Sequence, residues 1–198
     1  MIEKFDFDIY NKTHNGSEEY TLPNGNTVYL MDFDKNGGFQ YERLPSPSFY
    51  TVYKEFYANG NIKKKETFIG SHVKVRTSYY YDRDGGLVKQ VDEDQKFGKI
   101  KPLQVLEFLQ EKGYIDLKTG KGRVDEDGMQ VFWLDFNIME RKKIWTIGIV
   151  KGRSNDGPAN FPDIGEPSAY IPICYYMDGE TGKISETSPL QECREMGI

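Results

Sequence analysis

The stretch that decides the fold runs from Ser48 to Asp94 and reads SFYTVYKEFYANGNIKKKETFIGSHVKVRTSYYYDRDGGLVKQVDED. β-Branched and aromatic residues alternate with charged residues on both sides of two turn signals, Asn59-Gly60 and Asp84-Gly85. Asn-Gly or Asp-Gly between alternating runs is the strongest local signal for a β-hairpin. The stretch therefore predicts two β-hairpins, one after the other.

Part of this stretch resembles a known repeat. Residues Tyr53 to Gly70 have aromatic residues before Asn-Gly, an aliphatic residue and lysine after it, and a closing glycine, and they resemble the MORN-variant repeat. Residues Ser78 to Lys89 resemble a second unit, with Asp-Gly-Gly in place of Asn-Gly. Bacterial proteins with such repeats are often immunity proteins or antitoxins. The resemblance implies a protein that binds and neutralises a toxin, and it covers residues 48–94 of the 198.

The stretches outside the hairpins complete the expected fold. Residues 5–10, FDFDIY, are predicted as an edge strand, and Asn24-Gly25 marks a third turn. In KPLQVLEFLQEKGY the leucines recur at helical spacing after Pro102 and before Gly113, which predicts a helix over residues 102–112. Alternating runs at 129–139, 144–150 and 168–177 predict three more strands.

The sequence therefore predicts an α+β fold that is mostly antiparallel β-sheet. Residues 1–98 would form the hairpin region with its MORN-variant-like repeats. Residues 99–198 would form one helix packed on an antiparallel sheet, since that arrangement buries both apolar faces. The DGETG turn at 178–182 and the short strand after it resemble small PepSY-like modules, which supports this fold for the second region. The two regions could also form one continuous domain.

Composition limits the partners and the location. The chain has 26 Lys and Arg against 31 Asp and Glu, and this net charge of −5 disfavours non-specific binding to nucleic acid or to an anionic membrane. The N-terminal residues lack the apolar run of an export signal, so we expect a cytoplasmic protein. In that compartment Cys174 and Cys193 are expected to be reduced, with a disulfide as the alternative.

No motif predicts catalysis or a cofactor. His14 and His72 lack partners at metal-ligand spacing, and Cys174 lies in an apolar run that favours a buried, inert thiol. Asp32, Asp34 and Asn36 match the start of an EF-hand loop, but Arg43 stands where that loop needs a glutamate. We therefore expect no enzyme, no metal and no cofactor. The alternative is an enzyme or small-ligand-binding domain with a pocket of carboxylates and tyrosines.

Two kinds of segment are candidates for contact with a protein partner. Residues 151–167 are long for a loop, and long loops are often functional, although a plain hairpin loop is the alternative. Acidic clusters at the ends of elements could meet a basic toxin, although solvated turns also carry such charges. The candidate partner-binding residues are Arg153, Asn155, Asp156, Phe161, Asp163 and Ile164 in the loop, and Asp92, Glu93, Asp94, Asp125, Glu126 and Asp127 in the acidic clusters.

The lysine run at 63–65 is the remaining charged feature. In a regularly alternating strand Lys64 faces away from Lys63 and Lys65, so the run predicts a solvated sheet surface and no single basic patch.

The function that accommodates all these features is that of an immunity protein. Its expected partner is a cognate protein toxin, and the sheet-rich surface of the immunity protein would occlude the active site of that toxin.

Overall fold

Antiparallel β-sheet dominates the structure. The structure is a computed structural model and describes residues 2–70, 72–126, 128–155 and 169–186. The chain divides into two compact units, Met1–Lys96 with Leu117–Gly120 and Phe97–Asp116 with Lys121–Ile198. The predicted α+β class with mostly antiparallel sheet is confirmed.

The first unit is a seven-stranded antiparallel sheet whose strands follow one another in chain order. A short helix precedes the sheet and a 3-10 helix, Glu93–Lys96, follows it. The elements are α1 (Phe7–Lys12), β1 (Tyr20–Thr21), β2 (Thr27–Asp34), β3 (Gly37–Arg43), β4 (Tyr50–Tyr57), β5 (Ile62–Ile69), β6 (Val73–Tyr81) and β7 (Leu87–Asp92).

Two of the hairpins of this sheet turn at the dipeptides that the sequence singled out. Asn59-Gly60 lies between β4 and β5, and Asp84-Gly85 lies between β6 and β7. Gly60 and Gly85 have φ angles of 80° and 84°, in the left-handed region that glycine adopts without steric cost. Local turn chemistry thus sets where each of these strands reverses. The assignment of these hairpins to a MORN-variant repeat stays a prediction.

The edge strand predicted at residues 5–10 is wrong, because this segment contains helix α1. The Asp6 carboxylate accepts a hydrogen bond of 2.9 Å from the Ile9 amide and caps the helix N-terminus. Phe5, just before the cap, packs on Phe33 and Phe56 with ring centroids 4.6 and 5.3 Å away. The alternation of phenylalanine and aspartate reflects one core anchor and one cap, not a pleated strand.

The α1 segment covers an apolar core on one side of the sheet. Full burial of a valine, isoleucine, methionine or phenylalanine side chain contributes about 1.5–3 kcal/mol to the stability of a fold. The buried cluster consists of Phe5, Ile9, Val28, Met31, Phe56 and Ile62. This side is called the core side below.

The core side also holds a buried ion pair. Glu42 on β3 is 1% exposed and Lys54 on β4 is 8% exposed, and their side chains form a salt bridge. Glu42 also accepts hydrogen bonds of 2.7 Å from Gln40 and from Asn26. Lys54 forms a second salt bridge of 2.6 Å with Glu3, in the segment that precedes α1. Each buried charge therefore has an opposite charge beside it.

The second unit contains helix α2 and a four-stranded antiparallel sheet in the order β11-β10-β9-β8. The helix predicted at 102–112 is observed as α2, and Phe108 packs edge-on against Tyr175 at 5.2 Å. The elements are α2 (Pro102–Glu111), β8 (Phe132–Met139), β9 (Lys142–Ser154), β10 (Tyr170–Asp178) and β11 (Ile184–Glu186).

The state of Cys174 differs from the expectation. Cys174 is fully buried on β10 and is disulfide-bonded, so the predicted reduced thiol is wrong. The other cysteine of the chain, Cys193, lies outside the described residues. In the described part of the chain, no helix has the length and apolar character needed to cross a membrane.

We predict that Lys54→Met lowers the free energy of unfolding by about 3–5 kcal/mol, because Glu42 is then left as a buried charge without its counter-ion. Urea denaturation followed by circular dichroism measures this change. Lys12→Met, at the exposed end of α1, is the control and leaves the unfolding midpoint almost unchanged. Adding Glu42→Gln to Lys54→Met recovers part of the loss. An unchanged midpoint in Lys54→Met would contradict the importance of the pair.

We also predict a specific contribution of Glu3 to acid stability. Burial disfavours the charged carboxylate, but Lys54 and Lys65 outweigh that effect and lower the pKa of Glu3 below its usual 4.5. A carboxyl group with a lowered folded-state pKa stabilises the fold fully above its usual pKa, and this stabilisation is lost as the pH falls through the folded-state pKa.

The wild-type free energy of unfolding should therefore fall more steeply between about pH 5 and pH 3 than that of Glu3→Gln. Urea titrations at a series of pH values provide the comparison. Glu111→Gln, at the exposed end of α2, keeps the wild-type slope. Parallel curves for wild type and Glu3→Gln would refute the assignment.

Candidate functional site

The side of the seven-stranded sheet opposite the core side carries a continuous group of aromatic residues. Residues directly opposite each other in an antiparallel pair lie on the same side of a sheet. Tyr41 pairs with Tyr53, and Lys64 pairs with Glu55 on one flank and with Tyr80 on the other. We call this side the tyrosine face. Its aromatic members include Tyr29, Phe39, Tyr41, Tyr53, Tyr57 and Tyr80.

The central rings of the tyrosine face contact one another across three strands. The ring of Tyr41 lies 6.0 Å from Tyr29, 5.9 Å from Phe39 and 4.8 Å from Tyr53, measured between centroids. The rings are tilted or edge-on to each other, a geometry that aromatic pairs favour. All four side chains are half-buried. The rings therefore form a supported aromatic surface on an otherwise charged sheet.

Cationic side chains lie on these rings. The Arg43 guanidinium is 4.7 Å from the Tyr29 centroid and the Lys64 ammonium is 5.0 Å from the Tyr53 centroid. Two further lysines lie near rings in the same way: Lys63 is 5.8 Å from Tyr57 and Lys89 is 5.6 Å from Tyr80. A cation over a ring face at such distances gains about 0.5–1 kcal/mol at an exposed site. The aromatic surface thus also carries cationic side chains, of which Arg43, Lys63 and Lys64 form salt bridges with glutamates.

The position of Lys63 corrects the interpretation of the lysine run. The β4–β5 pairing shifts between Glu55 and Phe56, so that Lys63 is an extra residue in β5. Such a bulge places two successive side chains on one side of a sheet. Lys63 and Lys64 consequently both bond to Glu55, at 2.5 and 3.0 Å. The regular alternation assumed for the run is wrong at this point.

A buried carboxylate lies beneath the cations. Glu66 is 2% exposed and accepts hydrogen bonds from Lys74 at 2.6 Å and from Tyr80 at 3.0 Å. Burial raises the pKa of Tyr80, and the hydrogen bond to Glu66 raises it further. Burial also raises the pKa of Tyr53. The Tyr80 phenol therefore stays protonated and donates to Glu66.

The second unit contains a cleft of about 900 Å³. Three carboxylates and two tyrosines are among the residues that line it: Asp116, Asp125, Glu126, Tyr114 and Tyr170. Lys151 on β9 also lines the cleft and forms a salt bridge of 2.7 Å with Asp125. This arrangement gathers polar groups with opposite charges in one concave site.

The first predicted acidic cluster lies at the end of β7, where its carboxylates form local hydrogen bonds. Asp92 accepts from the Asp94 amide at 3.1 Å, and Asp94 accepts from the Arg76 amide at 2.9 Å. Glu93 accepts from Ser78 at 2.8 Å and pairs with Lys96 at 3.3 Å. All three acidic side chains are therefore engaged in contacts within the first unit. Their predicted role in partner binding stays a prediction.

The remaining predicted contact residues lie in the second unit. Asp125 and Glu126 line its cleft. The loop predicted from residue 151 begins later, because β9 continues to Ser154 and Arg153 pairs with Ile171 of β10. The Asn155 amide, just beyond β9, bonds to the Ala169 carbonyl at 3.0 Å. Asp127, Asp156, Phe161, Asp163 and Ile164 lie outside the described residues.

Across the described ranges, no group of three or more His, Cys, Asp or Glu side chains is arranged to hold a metal ion. Of the EF-hand-like residues, Asp32 and Asp34 belong to β2 and Asn36 lies in the β2–β3 turn, where its amide donates a 2.7 Å hydrogen bond to Asp34. Comparisons of the chain with protein-family models, with curated proteins and with solved structures found no match.

Proposed function

We propose that this protein is an immunity protein that binds a protein toxin through the tyrosine face and blocks its active site. The observation that carries the proposal is the contiguous set of half-buried tyrosines with cations over their rings. Tyrosine and arginine are enriched among the residues that supply most of the energy of protein interfaces. The resemblance of residues 48–94 to the MORN-variant repeat supports the same function.

The geometry of the tyrosine face suits binding by occlusion. The rings are held by their neighbours and by a hydrogen-bonded strand network, so little side-chain freedom is lost when a partner docks. Tyr41 lies at the centre, in contact with three other rings. Central, supported aromatic residues are the usual energetic anchors of an interface. A protein that inhibits by covering another active site needs such anchors and no catalytic group of its own.

Where the protein acts depends on where its toxin acts. The cytoplasmic location stays a prediction, and the disulfide at Cys174 counts against it, because disulfides persist mainly in oxidising compartments. Fractionation of the native cells, followed by detection of the protein in each fraction, decides between the cytoplasm and an oxidising compartment.

The cleft in the second unit supports a second candidate function, the binding of a small ligand. Its volume of about 900 Å³ lies in the range of ligand-binding pockets. The convergence of Asp125, Lys151 and Tyr170 provides charged and hydroxyl groups that could orient a polar ligand. Under this alternative the cleft, and not the tyrosine face, is the functional site.

We predict that Tyr41→Ala weakens partner binding by at least about tenfold, the effect of removing a central interface anchor. The tagged protein is used to retain its partner from native cells, the partner is identified by mass spectrometry and produced, and its affinity is measured by calorimetry. The retained protein should be toxic when expressed alone and harmless when co-expressed. Circular dichroism and the melting temperature verify that the variant is folded.

The matched control is Tyr170→Ala, which removes the same side chain from the cleft. It should leave the affinity for the toxin unchanged. If Tyr170→Ala abolishes binding and Tyr41→Ala does not, the cleft is the site and the proposal for the tyrosine face is rejected. Retention of no toxic protein, under conditions in which the toxin is expressed, would reject the immunity function.

A further inference from the structure

The charges of the tyrosine face are sorted by depth. The two central carboxylates lie low: the Glu66 side chain is 3% exposed and the Glu55 side chain is 25% exposed. Lys74 at 35% and Lys64 at 27% are more exposed than Glu66, and Lys63 at 46% is more exposed than Glu55. Above Glu66 an approaching molecule therefore meets ammonium groups first, whereas Arg43 is already paired with the more exposed Glu19.

The carboxylates keep these lysines charged. Burial alone lowers the pKa of Lys64 and of Lys74, but the bonds of Lys64 to Glu55 and of Lys74 to Glu66 outweigh burial and raise both pKa values. Glu66 contacts Lys74 at 2.6 Å and Lys64 at 3.7 Å from beneath. Glu66 thus positions both ammonium groups at the surface.

The ring faces are not free for stacking. The central tyrosines contact each other at 4.8 Å, and the face of Tyr53 carries the Lys64 ammonium at 5.0 Å. Proteins that bind single-stranded nucleic acid without sequence preference stack bases on open aromatic faces. Here a stacked base would have to displace a cation that is itself held by a carboxylate. The arrangement therefore favours a ligand that carries carboxylates over one that carries bases.

We propose that the tyrosine face binds an acidic surface of its protein partner, whose carboxylates meet Lys64 and Lys89 while its apolar atoms pack on Tyr41 and Tyr53. This inference rests on the proposed protein-binding function and adds the chemistry of the partner. It reverses the earlier expectation of a basic toxin held by acidic clusters.

The charge of the whole chain strengthens the argument. With a net charge of −5, the protein repels an acidic partner over most orientations. A local cationic face then selects one orientation, since complementary potentials steer association and suppress wrong encounters. The partner would be held in one register on the sheet.

The test uses three fluorescent probes on the 198-residue protein: poly-L-glutamate, poly-L-lysine and a 20-nucleotide oligo(dT), with affinities from anisotropy at low ionic strength. Wild type should bind poly-L-glutamate more tightly than either of the other two. Raising the ionic strength to about 0.3 M should abolish binding, because exposed charges are then strongly screened. An acidic protein without a cationic face would not bind a polyanion of this kind.

Two variants with equal charge change identify the surface. Lys64→Gln combined with Lys89→Gln should weaken poly-L-glutamate binding about fivefold, as expected for two exposed ion pairs. Lys12→Gln combined with Lys35→Gln, at the end of α1 and in the β2–β3 turn, should leave it unchanged. If the double substitution lowers the stability of the fold, Lys89→Gln alone replaces it, because Lys89 lies at an exposed strand position. The single variant should also weaken poly-L-glutamate binding.

The outcomes separate this inference from the proposed function. The acidic-partner inference is overturned if poly-L-glutamate does not bind, or if the two double variants lose affinity for it equally. This holds even where Tyr41→Ala still releases the retained toxin. Oligo(dT) binding that Tyr41→Ala abolishes overturns it in favour of a nucleic-acid face. Tighter binding of poly-L-lysine overturns it in favour of a basic partner. If poly-L-glutamate binds as expected but no toxin is retained, only the immunity function falls.

Discussion

The ion pair between Glu42 and Lys54 is the interaction on which the seven-stranded sheet depends. A charge buried without a counter-ion costs several kcal/mol, so β3 and β4 are compatible with burial only in a register that brings these two side chains together. The observed register places Gln40 opposite Lys54 and Glu42 opposite Val52. A slip by one residue would turn every side chain of one strand to the other side of the sheet. The ion pair and the apolar residues around it therefore favour the same pairing.

The same pair links the sheet to the N-terminal segment. Lys54 reaches Glu3 as well as Glu42, and Glu3 in turn reaches Lys65 on β5 at 3.4 Å. The segment before α1 is thus attached to two strands by charge and to the core by Phe5. Because the N-terminal segment covers the core side, the tyrosines lie on the opposite side of the sheet, which it leaves uncovered. On that opposite side Glu66 also forms salt bridges, with Lys64 and Lys74, and orients their ammonium groups at a half-exposed surface.

Local signals predicted the elements that local chemistry controls. The Asn59-Gly60 and Asp84-Gly85 turns and the helix after Pro102 depend on backbone preferences and on spacing, and each is observed. Helix α1 was missed because Phe5 and Phe7 alternate with aspartates as a strand would, while the cap made by Asp6 depends on one hydrogen bond. The tyrosine face was missed although Phe39, Tyr41 and Arg43 share one parity, as do Tyr53, Glu55 and Tyr57. A parity pattern becomes a surface only when the register between strands is known.

The sequence by itself determined an antiparallel α+β protein with hairpins at its Asn-Gly and Asp-Gly turns, because turn geometry and side-chain periodicity act over a few residues. The tertiary structure decided which charges are buried in pairs, where Lys63 points and which rings meet. Those outcomes depend on the pairing of strands distant in the chain and on a bulge that breaks the alternation. Net charge illustrates the difference: a chain that is acidic in total carries a group of lysines on its aromatic face, since composition sums charges and folding sorts them in space.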